Sequence, residues 1–368
     1  MATDRTGTLR YGIIGSGMMG IEHMLNIAAI DGAEVTAIAD PVTESRELAK
    51  AFSGLDGVDG RPSIAEFDHH GALLESGLCD AVVVSTPNST HVDVLGDVLA
   101  AGIDVLVEKP LCTTVADCRR VIEAAEDHPG VVWVGLEYRY MPPVAELTRA
   151  VHEGVVGDVK MLAIREHRFP FLPKVGDWNR FNRNTGGTLV EKCCHFFDLM
   201  THVLRSEPVR VMASGAQDVN HLDEMYDGEV PDILDNAFVI VDYASGARAL
   251  LDLCMFAEGS THQEELVAVG VTGKLEAFLP DSTLRTGLRT DGRPGVRTET
   301  VHDDRVRYEG FHHGSSYLEH LDFIAACRAG SAPGVSLQDG LLSVAVGVAA
   351  HRSIDEGRAV TLDEVLAG

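Results

Sequence analysis

The stretch Gly12-Ile-Ile-Gly15-Ser-Gly17-Met-Met-Gly20 limits what this chain can fold into more than any other. The apolar run Leu9–Ile14 reads as a strand entering it, and Met18–Ala29 reads as a helix leaving it. G-x-G-x-x-G is a weak signal in a chain with 37 glycines; the flanking strand and helix give it weight. In that setting Gly15 permits the tight turn, Gly17 lets backbone approach a pyrophosphate, and Gly20 lets the helix pack on the sheet. Met18 and Met19 lie between the last two glycines, where the free N–H groups of the helix start would face the anion. The next strand, Val35–Ala39, runs into Asp40, twenty residues past Gly20 and where a ribose-binding carboxylate belongs. Asp40 would accept hydrogen bonds from the ribose hydroxyls and repel a 2′-phosphate. No Arg or Lys stands immediately beside it, so NAD is favoured over NADP.

Strand and helix patterns then alternate: Thr43–Phe52 helical, Ala81–Ser85 extended, His91–Ala101 helical, Val105–Glu108 extended, Val115–Glu126 helical and Val131–Gly135 extended. AVVVS and VVWVG lack polar alternation, as strands buried on both faces do. The expected fold is therefore α/β, with a doubly wound parallel Rossmann sheet over residues 1–137. From 138 to 368 the texture is α+β on a large, open, mostly antiparallel sheet. Helices are expected at Pro142–Glu153, Thr188–Leu204, Tyr317–Arg328 and Leu337–Glu356. Strands are expected at Val159–Phe171, Val209–Ser214, Asn236–Tyr243, Ala247–Phe256 and Glu265–Val271, with hairpin turns at Ser245-Gly246 and Thr272-Gly273. Asp218–Pro231 reads as an acidic surface loop.

Thirty Lys plus Arg against 56 Asp plus Glu give a net charge of −26, which argues against nucleic-acid and anionic membrane partners. Seven cysteines without C-x-x-C spacing read as reduced thiols in a cytoplasm. Residues 1–10 lack an apolar leader, and no apolar run is long enough to span a membrane. No metal site is expected: adjacent Cys193 and Cys194 cannot share one ion, and the pairs His69-His70 and His312-His313 lack ligand spacing.

Ligands of an open parallel sheet collect beyond the carboxyl ends of its strands. Ala81–Ser85 ends in Thr86-Pro87-Asn88-Ser89-Thr90-His91, and Val105–Glu108 ends in Lys109-Pro110. A lysine directly after a buried strand, stiffened by proline, would project into the cleft and relay a hydroxyl proton. In the second half Glu191, His195 and Asp198 stand at i, i+4 and i+7, one face of a continuous helix, where a carboxylate can orient an imidazole as general acid or base.

In this order these features resemble the Gfo/Idh/MocA family of NAD(P)-dependent sugar and polyol dehydrogenases, the inositol 2-dehydrogenase-like oxidoreductases. The likeness rests on Gly12–Gly20, Asp40, Ser85–His91, Glu108-Lys109-Pro110, Gly186–Asp198 and the closing Asp339-Gly340-Leu341 and Gly357-Arg358. It implies that Lys109 and His195 are catalytic and that Thr86, Pro87, Asn88 and His91 line the cofactor. It also implies that Glu108 partners the nicotinamide ribose. Two departures stand out: Glu191 replaces the family's Asp one turn before the histidine, and Glu137-Tyr138-Arg139-Tyr140 replaces an N-R-R-F-type sequence.

The expected reaction is reversible oxidation of a secondary alcohol of a cyclic polyol or pyranose. Its hydroxyl would lie between Lys109 and His195, with Glu191 alongside. Tyr138, Arg139, Trp178 and Arg180, with Asn179 and Arg183, would contact the sugar. The alternatives are an NAD-retaining glycoside hydrolase of the same family and a non-catalytic nucleotide-binding module. A homodimer or homotetramer through the second sheet is expected by analogy.

Overall fold

Runs without polar alternation do form the first sheet. The computed structural model describes residues 7–57 and 63–367; the reading of the amino terminus as leaderless falls partly on residues 1–6, outside that set. The strands are β1 (Leu9–Ile14), β2 (Ala33–Ala39), β3 (Ala65–Phe67), β4 (Ala81–Val84), β5 (Asp104–Glu108) and β6 (Val132–Gly135). They are all parallel, in the order β3-β2-β1-β4-β5-β6. Every residue of β4, β5 and β6 is buried, as helix cover on both faces requires. The order reverses at β1 and β4, a switch point that leaves a crevice beyond their carboxyl ends. This unit holds the residues up to Glu137 and also Lys174–Trp178 and Arg305–Leu341. One later segment, the helix Ser315–Ala329, packs on Met18–Ala28. The edge strand β3 and helix His70–Glu75 left no periodic signal, being three and six residues long.

The second unit comprises Tyr138–Pro173, Asn179–Asp304 and the residues from Leu342 onward. Its strands are β7 (Val159–His167), β8 (Pro208–Ala216), β9 (Asn236–Tyr243), β10 (Arg248–Cys254), β11 (Glu264–Gly270), β12 (Gly273–Leu279), β13 (Thr283–Leu288), β14 (Arg297–Thr300) and β15 (Val360–Thr361). They form one sheet, β14-β13-β12-β11-β7-β10-β9-β8-β15, in which β7 and β10 run parallel and the other neighbours antiparallel. Hairpin turns fall at Ser245-Gly246 and at Val271-Thr272. Helices Pro142–His152 and Cys194–Leu204 pack on one face. The register puts Met161, Met212, Phe238 and Ile240 together on the other face, where all four are exposed.

Two sequence expectations need correction here. The strand expected over Val159–Phe171 stops at His167, because Pro170 and Pro173 remove ladder donors. The helix expected over Thr188–Leu204 is two: Thr188–Glu191 and Cys194–Leu204. Between them the Cys193 N–H reaches back five residues to the Thr188 carbonyl at 3.3 Å, a wider turn than an α-helix allows. Glu191 and His195 therefore do not share one continuous helical face.

Candidate active site

In the first unit the glycine turn is built by exclusion. Gly15 holds φ +91°, and a Cβ there would stand 2.7 Å from the Ser85 carbonyl. A Cβ on Gly20 would meet the Gly15 carbonyl oxygen at 2.2 Å. Gly17, by contrast, has nothing within 4 Å of its Cβ position. It caps the helix Met18–Ala28 without a side-chain hydrogen bond, so the first N–H groups keep their capacity for an anion. Asp40 ties the turn to β2: its carboxylate accepts from the Ser16 N–H at 2.9 Å and the Val42 N–H at 2.8 Å. The absence of a basic neighbour in sequence does not carry over to space. Arg46, one helical stretch later, donates to the Asp40 carbonyl and, at 3.2 Å, to Thr43 Oγ1.

The two loops beyond β4 and β5 are braced by His91. The ring is fully buried, with Nδ1 2.9 Å from the Pro110 carbonyl and Nε2 3.0 Å from that of Thr86. Burial holds the imidazole below its usual pKa. His91 thus reaches two loop backbones, while Asn88, also buried, keeps an amide nitrogen without a hydrogen-bond partner in the structure. An orphaned donor beside an open turn suits a polar ligand, and the set as a whole fits a dinucleotide.

Glu108 ends β5 buried, with Oε1 2.9 Å from His23 Nε2 and Oε2 accepting the Lys109 N–H at 3.1 Å. His23 Nδ1 lies 2.9 Å from His320 Nε2. Burial pushes the Glu108 carboxyl up, but the His23 hydrogen bond and charge and the Lys109 ammonium outweigh it and bring it down to about 2. His320 is held well below the ordinary imidazole range by complete burial. His23 therefore stands between the Glu108 carboxylate and the His320 ring. Sequence reasoning missed both histidines: His23 looked like one more helical residue, and His320 stands 297 positions away from it. Lys109 itself is half-buried at the start of the following loop.

The second unit carries the other residues. His195 and Glu191 are buried, at 2% and 6% exposure. The Tyr138 ring lies flat on the His195 imidazole, centroids 4.0 Å apart and planes 9° from parallel. The Tyr138 hydroxyl accepts from Lys192 Nζ at 2.7 Å, and Lys192 pairs with Glu166 at 3.0 Å. Lys192 had no signal beyond its place in the turn that splits the helix. Arg139, read from sequence as a sugar contact, instead makes a two-pronged ion pair with Asp198. Arg180, read likewise, is buried on Glu224 at 2.9 Å. Trp178, in the first unit, is half-buried. Cys193 and Cys194 are buried, and the Cys194 thiol donates to the Glu191 carbonyl at 3.4 Å. Glu264, opposite Glu166 across β7 and β11, is raised by burial and by that neighbouring carboxylate to about 7.

Comparison with known proteins matches residues 9–136 to the family described as an oxidoreductase family, NAD-binding Rossmann fold. Residues 148–362 match its companion, the oxidoreductase family C-terminal alpha/beta domain. The chain is 29% identical over 362 residues to the myo-inositol 2-dehydrogenase of Thermotoga maritima, covering 97% of this chain and all of that one. It is 25% identical over 358 residues to the scyllo-inositol 2-dehydrogenase (NAD(+)) of Bacillus subtilis, covering 96% of each. Among solved structures, a probable dehydrogenase from Thermotoga maritima superposes with a TM-score of 0.77 at 27% identity, over 97% of this chain and all of that one.

Proposed function

The chain belongs to the Gfo/Idh/MocA oxidoreductase family, and from that premise we propose that it oxidises a secondary alcohol of a cyclic polyol or sugar with NAD. Two inositol 2-dehydrogenases that it matches from end to end support an inositol-type or pyranose substrate. The observation that carries the reading is the cradle, closed by backbone at Gly15 and Gly20 yet clear above Gly17 at a helix start. The bound nucleotide would supply the hydride acceptor. Gly15, Gly17, Met18, Met19 and Gly20 would hold its pyrophosphate, Asp40 the adenosine ribose, and Thr86, Pro87 and Asn88 the remaining polar edge.

Lys109 Nζ would donate a hydrogen bond to the substrate hydroxyl oxygen, and a ring nitrogen of His195 would take the hydroxyl proton, returning it in the reverse direction. Glu191 is assigned with them as a buried carboxylate in the neighbouring turn. Trp178 remains a candidate sugar contact; Arg139 and Arg180, already in ion pairs, would act by holding the loops that carry such contacts. The first unit would serve as the nucleotide domain and the second as the substrate domain; against the expected split into 1–137 and 138–368, Lys174–Trp178 and Arg305–Leu341 cluster with the first. The exposed apolar face around Phe238 would join copies into a dimer or tetramer, and seven free thiols fit a cytoplasmic setting.

The test is a panel of inositols and pyranoses with NAD+, followed at the NADH absorbance. Lys109→Ala is expected to lower kcat/KM on the order of 10²-fold or more, with the melting curve unchanged. Full turnover by folded K109A removes Lys109 from the reaction. Release of a glycosidic leaving group without net NADH would move the chain to a hydrolase reading.

A further inference from the structure

Lys192 is buried at 5% exposure in the turn that interrupts the helix, where a cation needs a reason to be. Facing Glu166 and its neighbour Glu264 is one reason, and Lys192 shares it with Arg168. Arg168 Nη1 lies 3.2 Å from the same Oε1 that Lys192 pairs with. Lys192 also donates to the Tyr138 hydroxyl, with Nζ 2.7 Å from the phenol oxygen and 4.8 Å from the ring centroid. Phe196 meets the Tyr138 ring edge-on, with centroids 5.8 Å apart and planes at 67°. The ring is therefore held at its oxygen by an ammonium and at its side by a second aromatic, and its flat face is given to His195.

An imidazole rotates about a broad, roughly two-fold torsion, and only packing fixes the plane in which its lone pair points. Proton transfer depends on that direction, because a misplaced base loses most of its advantage. We propose that Lys192 and Tyr138 are positioning residues for His195: the buried ammonium fixes the phenol, and the phenol ring sets the plane of the imidazole. The proposal rests on the reading of His195 as the proton-handling group. It also gives a role to Tyr138, one of the departures from the family's usual sequence. From the turn between the two helices Lys192 reaches both Tyr138 and Glu166.

The experiment has two arms on the full chain. In the first, histidine ring resonances are recorded with labelled histidine, and that of His195 is identified by its loss in His195→Gln. It is expected upfield, under the Tyr138 ring current, and Tyr138→Leu is expected to return it to an ordinary position. Tyr138→Phe and Lys192→Met should each broaden or split it as the ring samples more than one plane. Y138F keeps the Lys192–Glu166 pair and so remains informative if K192M does not fold. Unmoved His195 resonances in both folded variants overturn the proposal. In the second arm, turnover of myo-inositol with NAD+ is measured. Y138L is expected to lower kcat on the order of 10²-fold with the KM for NAD+ unchanged. Y138F and K192M should each cost roughly tenfold, and the double variant no more than either, since both break one clamp. Multiplying effects in the double variant also overturn it. If H195Q keeps wild-type turnover, the proton-handling reading fails instead, and the resonances still decide whether the clamp exists.

Discussion

Glu108 is a carboxylate with almost no water around it, kept ionised by His23 on one oxygen and the Lys109 N–H on the other. Its pKa falls from 4.5 to about 2, so the stability it contributes is present above pH 4.5 and is lost as pH falls toward 2. His23→Leu leaves burial as the dominant influence, and the carboxyl then moves upward instead. The variant is expected to lose about 3 kcal/mol at pH 7, and the gap to wild type should narrow toward pH 4, where the variant's carboxyl is protonated. Urea midpoints at the two pH values check both the size and the sign. A pH-independent gap would mean that His23 serves packing alone. Neither histidine could be read from the chain, because a hydrogen bond spanning 297 positions leaves no mark on local spacing. Glu108-Lys109-Pro110 could be read, since a strand end and its loop are local.

The glycine turn makes a sharp distinction at the scale of one element. Gly20→Ala forces a Cβ to within 2.2 Å of the Gly15 carbonyl and is expected to lower the melting temperature by several degrees. Gly17→Val meets no protein atom near its Cβ, so its melting curve should stay near wild type while NAD affinity falls. Melting curves with and without nucleotide separate the two, and a G17V protein that binds NAD normally would remove the cradle from the argument. The longer helices and strands were legible because burial imposes a period of two or none on strands and about four on helices, whereas β12 to β15 of the second sheet went unread. The break at Lys192 was not legible either. Nothing in Thr188–Leu204 discourages a continuous helix, and the interruption accompanies a buried contact to Glu166, on a strand some 25 positions earlier in the chain. The strand end at His167 was legible in principle, from the prolines that follow it.

On the scale of the whole molecule, a net charge of −26 opposes association, yet Met212, Phe238 and Ile240 are exposed on the neighbouring strands β8 and β9, with Met161 on the same face of the second sheet. Like-charged surfaces associate only where apolar burial outweighs repulsion, which makes this face the expected seam between copies. If this face joins copies as proposed, Phe238→Asp is expected to lower the mass in light scattering with the fold retained, and an unchanged mass removes this face as a seam. The placing of Arg46 on the Asp40 carbonyl reaches further still, to the choice of nucleotide. The aspartate's charge lies beside the Arg46 guanidinium, which is itself paired with Glu66 at 3.4 Å. Exchanging this acid for a small neutral residue would lift the repulsion of a 2′-phosphate while Glu66 still held the guanidinium, so the phosphorylated nucleotide would be tolerated without being gripped. The same step would unfasten Ser16 and Val42, which binds the choice of nucleotide to the firmness of the loop that grips it.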